Sequence, residues 1–172
     1  FIEGARAQGA DVVDYGMMGT DMMYFAVARD GQDGGAQITA SHNPKQYNGC
    51  KMVKAEAFPL SGESGIREMK EMLLTNSLPA PSSRRGTVTP ITIMAPYVDH
   101  VMGFIDPTVI QSFNTVLDAG SGIAGLVAPH LFDDGLHALL EDRQIGFRAH
   151  QQPVAFRGRQ GGKLEQGNGP IH

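Results

Sequence analysis

The sequence predicts an α/β fold with a mixed, largely buried β-sheet, and three observations support this. Short apolar runs that end in turn residues alternate with longer segments of helical periodicity. Of the 172 residues, 41% are hydrophobic, which is ordinary for a chain that buries a core. The length suits one domain, or one domain and part of another.

The predicted elements alternate along the chain. Short apolar runs predict strands at 11–15, 34–40, 50–55 and 115–119. Apolar residues at helical spacing predict helices at 20–29, 61–74, 97–105 and 123–132, with a further short helix from Asp106-Pro107 to Phe113. Thr20-Asp21 is expected to cap the first of these helices and the Gly62–Gly65 tetrapeptide the second, while clustered methionines such as Met17, Met22 and Met72 fill the core.

Composition excludes several classes of function. The formal charge of −4 gives no electrostatic support for binding nucleic acid or an anionic membrane. The apolar runs are far shorter than a bilayer requires, and no signal-peptide pattern is present. The one cysteine, Cys50, cannot form an internal disulfide and is expected to be a packed thiol. A cytoplasmic protein is the expectation.

Residues 35–53, GAQITASHNPKQYNGCKMV, carry the most information about function. A strand delivers Ser41 to the tip of a loop dense in turn-forming residues, where a hydroxyl and backbone N–H groups can face an anion. Lys51 begins the returning strand, ten positions after Ser41, and its ammonium could return to the same anion. The pattern favours a phosphate site at Ser41.

Two other interpretations of this loop remain open from the residues alone. His42 lies next to Ser41, but neighbours in an extended loop point in opposite directions, which disfavours a nucleophile–base pair. No GxSxG turn surrounds the serine either. The other interpretation is a polar turn with an exposed serine and histidine.

The TASHNP and YNGCK motifs of this loop resemble the signature of the α-D-phosphohexomutases, the phosphomannomutases and phosphoglucomutases. GADVVDYGMMGTDMMYFAV before the loop and NTVLDAGSGIAG after it are similar to the same family, so that the resemblance covers roughly 1–133. It implies a three-layer α/β/α domain with a mixed sheet, plus the start of a second similar domain. It further implies that the chain is an N-terminal fragment of a longer enzyme.

The resemblance also implies a mechanism, an intramolecular phosphotransfer. Ser41 would be the phosphoserine that exchanges a phosphoryl group with a hexose 1- or 6-phosphate in carbohydrate metabolism. His42 and Lys51 match catalytic and substrate-binding positions of the motif, for sugar contact, proton transfer and phosphate stabilisation. The implied partner is a phosphorylated hexose, of which the motif does not specify the sugar.

The resemblance implies a Mg²⁺ ion as cofactor, held by the phosphate on Ser41 and by a DGDxDR aspartate cluster. This sequence contains no DGDxDR cluster, and the sugar- and phosphate-binding motifs of the family are absent too. Ser41 is therefore the one predicted metal contact, and little or no mutase activity is expected of this chain alone.

The expected domain organisation has three parts. Residues 1–90 form the phosphoserine domain, which is incomplete at its N-terminus, and 91–134 form a linker helix and the start of the second domain. Residues 135–172 lose apolar periodicity and are rich in Gln, Arg and Gly. Two hypotheses for this tail are open: a disordered segment, or a reading-frame change in the source.

A glycine-rich turn offers an alternative function from another class. Gly120–Gly125 fits GxGxxG after a predicted strand and before a predicted helix, a pattern typical of dinucleotide binding, with Glu141-Asp142 as the ribose acid. A tight strand–helix turn explains the same glycines. His130 and His137 are too far apart for a metal pair on one helix face.

Overall fold

A computed structural model describes residues 1–106, 109–110, 115–120, 122–132 and 145–148. The chain divides into two compact units, Phe1–Ile93 and Met94–His172. Helices and strands alternate in both units, with parallel and antiparallel strand pairs, which confirms the predicted α/β class.

The first unit contains three helices and four strands. In chain order these are α1 (Ile2–Ala7), β1 (Val12–Asp14), α2 (Thr20–Arg29), β2 (Gly34–Ile38), β3 (Cys50–Lys54), α3 (Arg67–Leu74) and β4 (Val88–Pro90). Strand β1 pairs with β4 in parallel, whereas β2 and β3 form an antiparallel hairpin. The hairpin carries the predicted serine loop.

The core of the first unit lies between α2 and the β2–β3 hairpin. Helix α2 is amphipathic, and it buries four apolar side chains on one face: Met22, Met23, Ala26 and Val27. Met22 is 1% exposed, and Val53 of β3 is buried on the sheet side. Because Gly35 of β2 has no side chain, the helix lies directly on the strand. This contact fixes the position of the hairpin.

A cavity of about 570 Å³ lies in the first unit, bordered by β1 and β2. Apolar residues of both strands and of helices α1 and α2 line it, among them Ile2, Ala5, Val12, Val13, Met23, Val27 and Ala36. The strands of this unit form two separate ladders, β1 with β4 and β2 with β3. All three residues of β4 are exposed. The sheet is less buried than the sequence predicts.

The segment before β4 is fastened to the start of β1, although the sequence gives it no periodicity. The guanidinium of Arg84 donates to both carboxylate oxygens of Asp11 at 2.8 and 2.7 Å. The backbone N–H and hydroxyl of Thr87 donate to the same carboxylate at 2.9 Å each. Arg6 of α1 donates to the carbonyl of Gly86 at 3.0 Å. These bonds set β4 beside β1.

The predicted helix at 61–74 is wrong in its first half. A single π-helical turn spans Gly62–Ile66, and α3 begins only at Arg67. Gly65 has φ of +140°, which a right-handed helix does not accommodate. The cap is Ser61, whose backbone N–H and hydroxyl both bond to the hydroxyl of Ser64, so it lies one residue before the predicted tetrapeptide. No residue of α3 is buried.

Other local predictions also need correction. Helix α2 spans the predicted residues, but its N-cap is Gly19 and not Thr20-Asp21. Met17 is 79% exposed and Met72 40% exposed, so neither fills the core. Helix α1 and strand β4 were not predicted, because a helix of one and a half turns and a strand of three residues are too short to show periodicity.

The second unit contains α4 (Met94–Met102), β5 (Thr115–Asp118), α5 (Ala124–Pro129) and β6 (Ile145–Arg148). Strands β5 and β6 pair in parallel, with Leu117 opposite Phe147. Helix α4 begins three residues before its predicted start, and β6 lies where no element was predicted. The predicted short helix to Phe113 and most of 135–172 lie outside the described residues. None of the described helices is long and apolar enough to span a bilayer.

The contact between α2 and β2 predicts the effect of a methyl group at Gly35. A Cβ there would lie 2.5 Å from Val27 Cγ2 and 3.1 Å from Met23 Sδ. We expect Gly35→Ala to lower the free energy of unfolding by about 1–3 kcal/mol, as overpacking does elsewhere. Urea titration measures this. Gly4→Ala is the control, because a Cβ at Gly4 meets nothing within 4 Å; that variant should gain about 0.5–1 kcal/mol through helix propensity.

The Arg84–Asp11 interaction predicts a pH dependence of stability. Hydrogen bonds from Arg84, then from Thr87, lower the pKa of Asp11 from 3.8 to about 2. Because the folded pKa lies below the unfolded value, the stabilisation is present above pH 3.8 and is lost as the pH falls towards 2. Asp11→Asn should therefore be less stable than wild type at pH 6 and should converge with it near pH 2.

Urea midpoints across this pH range measure the difference between the two proteins. Asp33→Asn is the control for the loss of one negative charge, since Asp33 is exposed and forms no hydrogen bond within the described part of the chain. A constant difference between wild type and Asp11→Asn from pH 6 to pH 2 would contradict the prediction.

Candidate active site: the serine loop

The candidate site is the loop at 39–49, which joins β2 to β3. Register in the hairpin places Gly35 opposite Val53, Gln37 opposite Lys51 and Ile38 opposite Cys50. On the side of the sheet that carries Gly35 and Val53, α2 covers the strands. The loop therefore projects from a hairpin that the core holds in place.

The loop is closed at its base by a contact between Thr39 and Gly49. The backbone N–H of Thr39 donates to the carbonyl of Gly49 at 2.9 Å, which extends the ladder beyond the strands. A Cβ on Gly49 would lie 2.8 Å from the carbonyl oxygen of Thr39, so a side chain at this position would push the two backbones apart. The Asn48 side chain accepts the Gly49 N–H at 2.9 Å. Glycine is therefore required at the base of the loop.

Ser41 stands at the first turn of the loop in an uncommon backbone conformation. Its φ is +52°, in the left-handed region, which costs a residue with a side chain about 1–2 kcal/mol. Its N–H donates to Thr39 Oγ1 at 3.0 Å, and a turn follows in which Asn43 N–H donates to the carbonyl of Ala40 at 3.0 Å. Ser41 is exposed. The residue therefore lies at the surface of the loop.

His42 and Lys51 are exposed as well, and within the described part of the chain neither side chain forms a hydrogen bond with Ser41. Lys51 stands opposite Gln37, which lies four residues before Ser41, so at most about 13 Å of extended chain separates Gln37 from Ser41. The spacing of about 5 Å between paired strands adds to the separation of Lys51 from Ser41. The structure thus places the three predicted residues on one hairpin but does not join them by hydrogen bonds.

Charge around the loop has one sign, a signal that the sequence analysis missed. Between Asp33 and Glu56 the chain has no acidic residue, whereas it has Lys45, Lys51 and Lys54. Within the described residues none of these lysines forms an ion pair. In a chain with a formal charge of −4, this segment is a local concentration of positive charge, which favours an anion.

Several backbone N–H groups of the loop are available to an anion. Those of Thr39, Ser41, Asn43, Tyr47 and Gly49 are bonded internally. Those of His42, Lys45 and Gln46 donate to no other described residue. The predicted role of loop amides thus falls to these positions and not to Ser41, whose own amide is engaged.

Cys50 differs from its predicted state. It is exposed at the start of β3 and is not packed in the core, and its Sγ lies 3.8 Å from the carbonyl of Lys51. Partial desolvation raises the pKa of its thiol. The thiol form is therefore favoured over the nucleophilic thiolate.

No metal cage forms in the described part of the chain. Among those residues, no three His, Cys, Asp or Glu side chains come close enough together to hold an ion. The described residues therefore do not fit the magnesium site that the resemblance implies, beyond a contribution from a phosphate on Ser41. The predicted aspartate ligands are missing from the sequence as well.

In the glycine turn of the second unit, the backbone N–H groups of three glycines form hydrogen bonds within the turn. Gly120 N–H donates to Asp118 Oδ1 at 2.8 Å, Gly122 N–H to the carbonyl of Ala119 at 2.8 Å, and Gly125 N–H to the carbonyl of Gly122 at 3.0 Å. A diphosphate needs such amides free. This arrangement favours the tight strand–helix turn over the nucleotide alternative; Glu141-Asp142 and His137 lie outside the described residues.

Comparison with known proteins points to the same family that the motifs of the serine loop resemble. The sequence model of the family described as phosphoglucomutase/phosphomannomutase, α/β/α domain I, matches residues 1–77, which include the whole hairpin. Domain I is thus the part of the family to which the first unit is similar.

Curated relatives extend the match beyond this domain. A phosphomannomutase of Escherichia coli is 40% identical over 155 residues, which are 89% of this chain and 31% of the relative. One of Klebsiella pneumoniae is 43% identical over 97 residues, 56% of this chain and 62% of the relative. Because 135–172 make up more than a fifth of the chain, the first match includes part of that segment.

A solved structure shows the same relationship in three dimensions. A phosphoglucomutase/phosphomannomutase family protein of Burkholderia thailandensis superposes with a TM-score of 0.64 at 30% identity, covering 85% of this chain and 30% of that one. The chain spans about a third of the length of several of the relatives it matches. On these grounds the chain belongs to the phosphoglucomutase/phosphomannomutase family, the α-D-phosphohexomutases.

Proposed function

We propose that this chain carries the phosphoserine of a phosphohexomutase, with Ser41 as the residue that accepts and returns a phosphoryl group. One observation carries the proposal: the exposed Ser41 is held at the tip of a hairpin whose lysines meet no acidic neighbour in sequence. Phosphorylated hexoses are the substrate class, because the relatives named above are phosphomannomutases.

The chemistry at Ser41 is a phosphoryl exchange. Ser41 Oγ forms a bond to the phosphorus of a hexose bisphosphate while the bond between phosphorus and the sugar oxygen breaks. The hydroxyl proton leaves Ser41, and the sugar oxygen gains a proton, so that charge and atoms balance. The reverse step places the phosphate on a different oxygen of the sugar. Such transfers depend mainly on positioning and on neutralising charge.

His42 and Lys51 have separate proposed roles. Lys51 neutralises charge on the transferred phosphoryl group, since its ammonium stands on the same hairpin and forms no ion pair with any described residue. His42 follows Ser41 directly and is placed to contact the sugar or to exchange a proton with it. A Mg²⁺ ion would contribute further charge through the phosphate on Ser41, but the described residues supply no cage for it, and no step here depends on it.

The chain is proposed to supply part of an active site. We assign 1–90 to the phosphoserine domain and 91–134 to the start of a second domain, with the cytoplasm as the compartment. The oligomeric state and the sugar have no assignment. Steady-state interconversion of glucose 1-phosphate and glucose 6-phosphate is expected to be very slow or absent with this chain alone, because the sequence lacks the metal and sugar motifs.

Phosphate on Ser41 is the direct test of this function. The purified chain is incubated with glucose 1,6-bisphosphate in buffer containing Mg²⁺, and intact mass and peptide mass spectrometry locate the added phosphate. We expect one phosphate, on the peptide that contains Ser41, either as purified or after incubation. Ser41→Ala should remove it entirely, because within the described residues no other serine or threonine has a positive φ.

Ser83→Ala is the matched control, since Ser83 is also exposed and forms no hydrogen bond with another described residue. That variant should take up phosphate as wild type does. Phosphate spread over several serines, or none on Ser41 under any condition, would refute the proposed function for this chain.

A further inference from the structure

We infer that Thr39 is the positioning residue of this site: its hydroxyl oxygen holds Ser41 in the left-handed conformation that presents the reacting hydroxyl. The inference rests on the proposed function of Ser41 and adds a residue to it. Thr39 does not touch the phosphoryl group. It acts through the backbone of Ser41.

The conformation of Ser41 needs a cause. A serine with φ of +52° is strained, and this conformation persists only where its surroundings hold it. The turn bond from Asn43 N–H to the carbonyl of Ala40 spans Ser41 but does not include its own N–H. Within the described residues the Ser41 N–H donates one hydrogen bond, to Thr39 Oγ1 at 3.0 Å. A threonine oxygen that accepts from the residue two positions on is a local device for shaping such turns.

Thr39 itself is fixed by the sheet, so it can hold the backbone of Ser41 in place. Its N–H is bonded to the carbonyl of Gly49 at 2.9 Å, and its carbonyl oxygen packs so closely on Gly49 that no Cβ fits there. It is partly buried, whereas every residue from Ser41 to Cys50 is exposed. Threonine is also restricted in χ1 by its branched Cβ, so the oxygen stays in position. Thr39 thus transmits the register of β2–β3 to Ser41.

The acceptor oxygen can be removed without changing the shape of the side chain. Thr39→Val replaces the hydroxyl by a methyl group, whereas Thr39→Ser keeps the oxygen and removes only the methyl. Two measurements are made on each variant: hydrogen exchange of backbone amides by NMR, and the rate at which glucose 1,6-bisphosphate with Mg²⁺ phosphorylates Ser41.

In Thr39→Val, we expect exchange at the Ser41 amide to accelerate roughly 2- to 10-fold, the factor that corresponds to one net hydrogen bond, with phosphorylation slowed by at least as much. The amide of residue 39, bonded to Gly49, should keep its wild-type exchange rate and so report that the hairpin is intact. Thr39→Ser should match wild type in both measurements. Thr39→Ala, which removes oxygen and methyl together, should behave as Thr39→Val.

The inference is overturned if Ser41 exchanges at the wild-type rate in Thr39→Val, or if Thr39→Ser is as impaired as Thr39→Val, because shape and not the acceptor oxygen would then matter. Failure of the proposed function looks different. In that case wild type takes up no phosphate on Ser41, while the change in exchange at Ser41 still decides the role of Thr39.

Discussion

The register between β2 and β3 is the constraint on which the candidate site depends. Gly35 lets α2 lie directly on the strand, and Gly49 lets the two backbones close beneath the loop. Between them the ladder sets Lys51 opposite Gln37. A shift of one residue would turn every side chain of a strand to the other face of the sheet. Lys51 and Val53 would then both turn away from the side of the sheet that α2 covers, and Thr39 would lose its hydrogen bond to the carbonyl of Gly49.

Chemistry follows from what this register presents to solvent. An exposed serine is a poor nucleophile by itself, and no described side chain that could act as a base forms a hydrogen bond with the Ser41 hydroxyl. What the hairpin does supply is position and positive charge, through a fixed backbone, amides free at His42 and Lys45, and lysines with no acidic neighbour. Phosphoryl transfer draws on these two contributions more than on covalent chemistry of the protein. Membership of the phosphohexomutase family is consistent with that division.

Prediction from sequence succeeded where a pattern was long or specific. The apolar spacing of the ten residues of α2 and the turn-forming residues of the TASHNP loop are each visible within one short segment. The helix bounds and the exposed serine could therefore be predicted without coordinates. Strand β4 has three residues and owes its place to the Arg84–Asp11 ion pair, a contact across 73 positions that no local pattern reveals. The break at Gly65 depends on a single φ angle. The role of Thr39 was not predicted because it depends on a hydrogen bond from the backbone N–H of position 41, and every residue type except proline has that group.

If the hairpin brings Ser41 and Lys51 to one phosphate, the two lysines of β3 must differ in their effect on the phosphorylation of Ser41, and comparing them is the most direct measurement. Lys51 and Lys54 are both exposed, but an odd separation places them on opposite faces of the strand. We predict that Lys51→Met slows phosphorylation of Ser41 by glucose 1,6-bisphosphate about tenfold or more, as loss of a charge-stabilising group does. Lys54→Met should change that rate by less than about twofold, since a distant exposed charge is screened. Equal effects of the two substitutions would contradict the claim that one face of the hairpin holds the phosphate.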